Sequence, residues 1–170
     1  MVTLRDEQLG DIEAIRDVNQ RAFGQPQESQ LVDALRANGG VFLSLVATLE
    51  NRVVGHILYS PVSIDTDSSN LVGAGLGPVA VLPAYQGQGI GGKLIDAGNR
   101  RLSEMGYPFV VVLGHPEYYP RFGFTPASGY GIQSQWDVPD DVFMVFIIDQ
   151  ARMAGVSGVA IYRPEFSNVL

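Results

Sequence analysis

Apolar residues recur along this chain with two different periods, and the changes of period mark out its elements. After a short strand over residues 2–5, Ile12, Ile15, Val18 and Ala22 fall on one helical stripe, with Asp11 placed to cap its start. Gln25-Pro26 interrupts that stripe, and a second short helix carries Leu31, Val32 and Leu35 up to Asn38-Gly39-Gly40. Residues 41–49 read as a buried strand, Glu50-Asn51 as a tight turn, and residues 52–65 as the hairpin partner. Polar residues 66–70 turn the chain into another strand at 71–82. The helical period returns with Ile90, Leu94, Ala97, Gly98, Leu102 and Met105, and Gly106 with Pro108 stops it. Phe109–Leu113 is a continuous apolar run, as expected of a strand buried on both faces. Pro116 can open a short helix running through Phe122, and strands follow at 142–148 and 159–162. Hairpins, one strand–helix–strand crossover and a hairpin-like tail describe an α/β (α+β) chain: a mixed sheet with helices on both faces.

Composition narrows the chemistry. With 170 residues and no repeat or linker, the chain is expected to form a single domain, residues 1–170, able to bury a full core. It has no cysteine, which removes disulfides, cysteine-ligated metals and thiol nucleophiles, and its two histidines, His56 and His115, rule out histidine-rich metal sites. A net charge of −7 argues against a nucleic-acid partner and favours cationic ones. The chain contains no run of roughly 20 apolar residues, and its first residues lack a basic stretch followed by an apolar one. A cytoplasmic protein without membrane attachment is the expectation.

Gly87, Gly89, Gly91 and Gly92 sit between a strand and a helix start, where glycine permits positive φ and unpaired N–H groups meet the positive end of the helix dipole. Such a place suits a phosphate. Gly87, Gly89 and Gly92 satisfy a dinucleotide-binding G-x-G-x-x-G. However, residues 83–86 separate them from the strand, and no acid ends the next strand to hold a ribose. Gly87 to Lys93 also fits most of a P-loop, yet Leu94 stands where a hydroxyl should hold magnesium, so phosphoryl transfer lacks its metal anchor.

A third pattern, Gln86-x-x-Gly89-x-Gly91, resembles the pyrophosphate loop of the GCN5-related N-acetyltransferase (GNAT) superfamily. So do the residues around it, from Gly77-Pro78-Val79-Ala80-Val81 through Lys93-Leu94-Ile95. The block Tyr118-Tyr119-Pro120-Arg121-Phe122-Gly123-Phe124 is similar to a second segment of the same superfamily, in the same order and spacing. The resemblance covers residues 41–125, and it implies a GNAT fold whose fourth and fifth strands run parallel and splay around acetyl-CoA as co-substrate, with no metal. It implies that the backbone of Val79, Ala80 and Val81 pairs with the pantetheine arm. Gly75, Gly77 and Pro78 would form a bulge that frees an N–H for the thioester carbonyl. Gln86, Gly87, Gln88, Gly89, Ile90, Gly91, Gly92 and Lys93 would cradle the pyrophosphate, although Lys93 also fits a solvated first-turn lysine. Tyr119 falls on the tyrosine that reprotonates the departing CoA thiolate, the alternative being a packed core tyrosine, and Tyr118 belongs to the core. The chain departs from many relatives at Val112, where they carry an Asn, and Gly114-His115-Pro116 shortens the loop that follows, which would place His115 near the sulfur, the alternative being a surface loop histidine.

Direct transfer to an amine needs a base or a water relay. Without cysteine an acyl-cysteine relay is impossible, and the lack of a G-x-S-x-G elbow argues against a serine relay, so a single sequential step is expected. Glu28, His56 and Glu117 are the base candidates, each with a structural alternative. Glu28 leads because the loop between the first two helices forms the acceptor wall in the resembled family. Loops 25–29 and 130–141 are expected to shape the pocket of a small-molecule or peptide amine, with Trp136 lining it or filling an apolar gap, and the apolar tail strand offers an edge for a homodimer. A second class of function stays open: a CoA-binding sensor or interaction domain without turnover.

Overall fold

The computed structural model describes residues 1–66 and 70–169, so the turn expected over 66–70 lies for the most part outside the described residues. Four helices stand among the described residues: α1 (Ile12–Phe23), α2 (Gln27–Ala37), α3 (Ile90–Glu104) and the single-turn α4 (Gln150–Met153). The strands are β1 (Thr3–Asp6), β2 (Leu43–Leu49), β3 (Arg52–Asp65), β4 (Asn70–Val81), β5 (Phe109–Leu113), β6 (Thr125–Pro126), β7 (Ile132–Ser134), β8 (Phe143–Ile147) and β9 (Gly158–Ile161). They join in one sheet of order β1-β2-β3-β4-β5-β8-β6, with β9 added to β3 and β7 to β9. Pairing is antiparallel except for β4–β5 and β7–β9. The 14 residues of β3 serve two neighbours on one edge: its first half pairs with β2, and Ser63 and Ile64 pair with β9.

The alternation of β3 sorts the helices to the two faces of the sheet. Gly55 faces Ile90 and Leu94 of α3, and Tyr59 packs against Gly98, where a Cβ would fall onto its ring. The Tyr59 hydroxyl donates to Asn99 Oδ1 at 2.9 Å. The intervening His56 faces α1 on the other side, where Asn19 contacts its ring. With apolar helices on both faces, β3 is buried from Val53 through Ser60, and a periodic inside–outside pattern is lost from its sequence.

A polar chain threads this core. His56, fully buried, accepts from Asn19 Nδ2 on Nδ1 at 3.1 Å. Its Nε2–H donates to Ser44 Oγ at 2.9 Å, and Ser44 donates to Glu7 Oε1 at 2.7 Å. Arg36 closes the chain by pairing with Glu7 at 2.8 Å. Burial pushes the His56 pKa down from 6.5 to about 4, outweighing the nearby Glu7 charge, so the ring stays neutral.

Several local expectations need correction. Asp11 does not cap α1: its carboxylate turns back to accept from the Gln8 N–H at 2.7 Å and to pair with Arg5 at 2.7 Å. The segment opened by Pro116 is not an α-helix but a turn ending in a 3-10 turn at Tyr119–Phe122, because Pro120 removes a donor and Gly123 takes a left-handed φ of 90°. Met105 leaves the buried stripe of α3 as its exposed C-cap residue. The short strands β6 and β7 and the helix α4 have too few residues to show a period.

Candidate active site

Strands β4 and β5 pair at only two positions, Ala74 with Val110 and Gly75 with Val111. Beyond them β5 continues against β8 through Leu113 and β4 continues against β3 to Val81, so the facing edges diverge into an open fork. A bulge lies beside the opening. Between the pairs Ile57–Val79 and Tyr59–Leu76, β4 carries one more residue than β3, which places Gly77 and Pro78 at the irregularity. Gly77 has φ of +141° there. The free edge of β4 therefore presents unpaired main-chain groups to whatever enters the fork.

The β4 edge leads directly into the glycine loop. Gln86 Nε2 donates to Val81 O at 2.9 Å and ties the loop back to the strand end, so this side chain is a strut rather than a free donor. Gly87 and Gly89 hold φ of +78° and +80°, values that cost an ordinary residue about 1–2 kcal/mol. Among the described residues, no acceptor takes the main-chain N–H groups of residues 87–92, and the first bond of α3 runs from Lys93 N to Gly89 O at 3.1 Å. A row of free N–H groups at the N-terminus of a 15-residue helix is an anion cradle. Gly91 and Gly92 are small for a steric reason instead. A Cβ on Gly91 would meet Tyr118 Oη at 3.0 Å, and one on Gly92 would meet the Phe122 ring at 2.9 Å. They let α3 seat against the aromatic turn.

That turn supplies the hydroxyl at the fork. Tyr119 is 7% exposed, packed edge-on against Tyr118 at 5.1 Å and Phe124 at 5.7 Å, and it covers Gly114 so closely that a Cβ there would strike its ring. Burial pushes its pKa up to about 12. Its hydroxyl makes no hydrogen bond among the described residues. A cavity of about 600 Å³ runs along the fork, lined on one side by Leu76 to Val81, Gln86 and Gly91, and by Gly114, His115 and Tyr119 across from them. Its far end is closed by α1, α2 and the segment after β9.

Comparison with known proteins identifies this arrangement. The acetyltransferase (GNAT) domain family matches residues 3–127. The chain is 35% identical to the uncharacterized N-acetyltransferase YhbS of Escherichia coli over 158 residues, 92% of this chain and 93% of YhbS. The chain belongs to the GNAT acetyltransferase family. The crystal structure of YhbS in complex with CoA superposes with a TM-score of 0.93 at 34% identity, covering 99% of this chain and 93% of that one. A GNAT family acetyltransferase from Brucella melitensis, in complex with acetyl-CoA, gives 0.80 at 36% identity and covers 98% of both chains.

Within this GNAT frame, the residues singled out from the sequence divide clearly. Val79, Ala80, Val81, Gln86, Gly91, Tyr119 and Glu28 line the cavity, and His115 joins them. Gln88 and Lys93 are exposed outside it, and the Ile90 side chain is buried against Gly55, so its main chain alone belongs to the cradle. His56 is locked in the core polar chain and Glu117 is exposed, both away from the cavity. Arg121 lies over the Tyr118 ring at 4.8 Å. Loop 130–141 lines a separate cleft, and Trp136 backs the wall by packing on Tyr162 at 5.0 Å. Sequence reading missed Tyr162, Phe166 and Val169, which line the cavity from the C-terminal segment and show no motif or period that could reveal it.

A substitution tests the cradle. Gly89→Ala is expected to weaken CoA binding about tenfold, since relaxing about 1–2 kcal/mol of backbone strain turns the N–H groups away. Isothermal calorimetry with CoA reads the effect, and an unchanged affinity contradicts the assignment.

Proposed function

We propose that this chain is an N-acetyltransferase that moves the acetyl group of acetyl-CoA onto an amine in one sequential step. The observation that carries this reading is one cavity lined by the unpaired β4 edge and the partnerless Tyr119 hydroxyl and reached, at Gly91, by the free N–H row of residues 87–92. The pyrophosphate lies on the N–H row, and the pantetheine arm pairs with Val79, Ala80 and Val81 as an added strand. The thioester reaches the fork beside Tyr119. A main-chain N–H freed by the bulge polarises its carbonyl.

The amine lone pair attacks the carbonyl carbon, and collapse of the tetrahedral species breaks the carbon–sulfur bond, sending that electron pair to sulfur. Glu28 takes the proton lost by nitrogen, directly or through water. Tyr119 donates a hydrogen bond to the sulfur as charge builds there, the released thiolate takes its proton from solvent, and solvent exchange restores the Glu28 carboxylate. Glu28 suits this part by position: it stands in the first turn of α2, half-buried on the cavity wall, with its oxygens held by Gln25 Nε2 at 3.0 and 3.1 Å.

Thiol release from acetyl-CoA across an amine panel, with mass detection of the acetylated amine, tests the activity. Tight CoA binding with no turnover on any amine, unaltered by Tyr119→Phe, would identify a CoA sensor instead. Glu28→Gln is expected to lower kcat/KM about 100-fold, at the lower bound for loss of a general base, with CoA affinity unchanged. An unchanged kcat/KM in the variant excludes Glu28.

A further inference from the structure

The cavity wall opposite the cofactor edge has a composition of its own. Its aliphatic and aromatic side chains come from Phe23 at the end of α1, Leu31 on α2, and Tyr162, Phe166 and Val169 after β9, the Tyr162 hydroxyl being buried with no partner among the described residues. Glu28 is the one charged group among them. Its hydrogen-bond partner is the neutral Gln25, and no Arg or Lys of the described residues pairs with it. A carboxylate that faces an apolar chamber without a cation leaves a charge uncompensated, which a bound ammonium would neutralise.

The chamber is built, not incidental. Arg163 Nη2 donates to Asn38 O at 3.2 Å and Asn38 Nδ2 donates to Glu165 at 3.1 Å, which fastens the C-terminal segment to the end of α2. Phe166 packs edge-on against Tyr162 at 5.0 Å, and Trp136 supports Tyr162 from behind. The C-terminal part of this wall falls outside residues 3–127, the part matched by the family, and lies within the 99% of this chain that superposes on YhbS.

We infer that the acceptor is an amine carried on an apolar body, its ammonium head set on Glu28 and its hydrocarbon part against Phe23, Leu31, Tyr162 and Phe166. This rests on the acetyltransferase reading of the same site. One carboxylate matches one positive charge, which disfavours polyamines, and no basic residue stands on this wall to receive an acidic acceptor. Apolar walls reward hydrocarbon, about fourfold in affinity for each methylene fully buried.

The test measures kcat/KM with saturating acetyl-CoA for n-alkylamines from propyl to hexyl, phenethylamine, spermidine and aspartate. The expected result is a rise of about two- to fourfold per methylene, with spermidine and aspartate about tenfold or more below hexylamine. Leucinamide against a tripeptide beginning with Leu separates a small amine from a peptide terminus, and a preference for either over spermidine and aspartate supports the inference. Phe23→Ser, at a side chain already 40% exposed, should flatten the alkyl dependence without endangering the fold. Equal rates along the alkyl series, or spermidine or aspartate as the best acceptor, overturn the inference and leave acetyl transfer standing. Turnover of no amine, despite calorimetric CoA binding, overturns both.

Discussion

Tyr119→Phe is expected to lower kcat about 100-fold, at the small end of what a positioned acid contributes, while CoA affinity stays within about twofold because no cradle contact is lost. The small end follows from the proton inventory. Burial holds the phenol at about 12, whereas a thiol ionises near 8.5, so complete transfer is uphill by about 3.5 units, or about 5 kcal/mol. The hydroxyl therefore acts chiefly by donating a hydrogen bond as charge builds on sulfur, and it keeps its proton across the working range. The wild-type profile should accordingly show no alkaline fall assignable to Tyr119 below about pH 11. Steady-state rates with CoA calorimetry on the same variant decide the matter: an unchanged kcat removes Tyr119 from the chemistry. The phenylalanine ring keeps the contacts with Tyr118 and Phe124, so a folding defect is not expected to obscure the result.

Acid should begin to weaken this protein before its carboxylates are neutralised. His56 has a pKa of about 4 in the folded chain against 6.5 in the unfolded one. As pH falls below 6.5, the unfolded state takes up a proton that the folded state refuses. The contribution of His56 is thus complete above pH 6.5 and is lost between 6.5 and 4. A displacement of this size corresponds to a loss on the order of 3 kcal/mol, a large share of the stability of an ordinary domain. Protonation would also set two donors, the ring Nδ1–H and Asn19 Nδ2, against each other. Glu7 adds to the effect at lower pH: its carboxyl is half-buried, but its bonds from Arg36 and Ser44 still hold its pKa below the ordinary value, so its share is lost only as pH falls through that lowered value. Urea unfolding at a series of pH values measures the slope, and His56→Gln should abolish the part between pH 6.5 and 5. A midpoint that does not move between pH 7 and 5 contradicts the account.

The alternation of helical and extended periods was enough to place α1, α2, α3 and the strands from β2 to β5, because each of these buries a stripe or a face long enough to repeat. The short elements were not legible for the same reason. Two residues of β6 or three of β7 carry no period, and their pairing is chosen by partners far along the chain. Asp11 illustrates how a local rule loses to a non-local one. The sequence suggests a helix cap, but Arg5 on β1 draws the carboxylate backward.

At the site, the loop could be read directly because its requirement is local. Gly87 and Gly89 must adopt positive φ, and N–H groups at a helix start have no intrahelical acceptor, whatever surrounds them. The same letters concealed a division of labour, since Gly91 and Gly92 exist to admit Tyr118 and Phe122, residues far along the chain. Separating Glu28 from His56 and Glu117 required side-chain directions: one lines the cavity, one is sealed between sheet and helix, and one faces solvent. The periods of the long helices and strands and the positive φ of the glycine loop were legible in the sequence because near neighbours set them, whereas the GNAT architecture and the place of Tyr119 rested on two motifs that resemble the family. The cavity wall opposite the cofactor edge was decided only in three dimensions, because Phe23, Leu31, Tyr162 and Phe166 come together through packing across the whole length of the chain, and packing between distant segments leaves no pattern in any one of them.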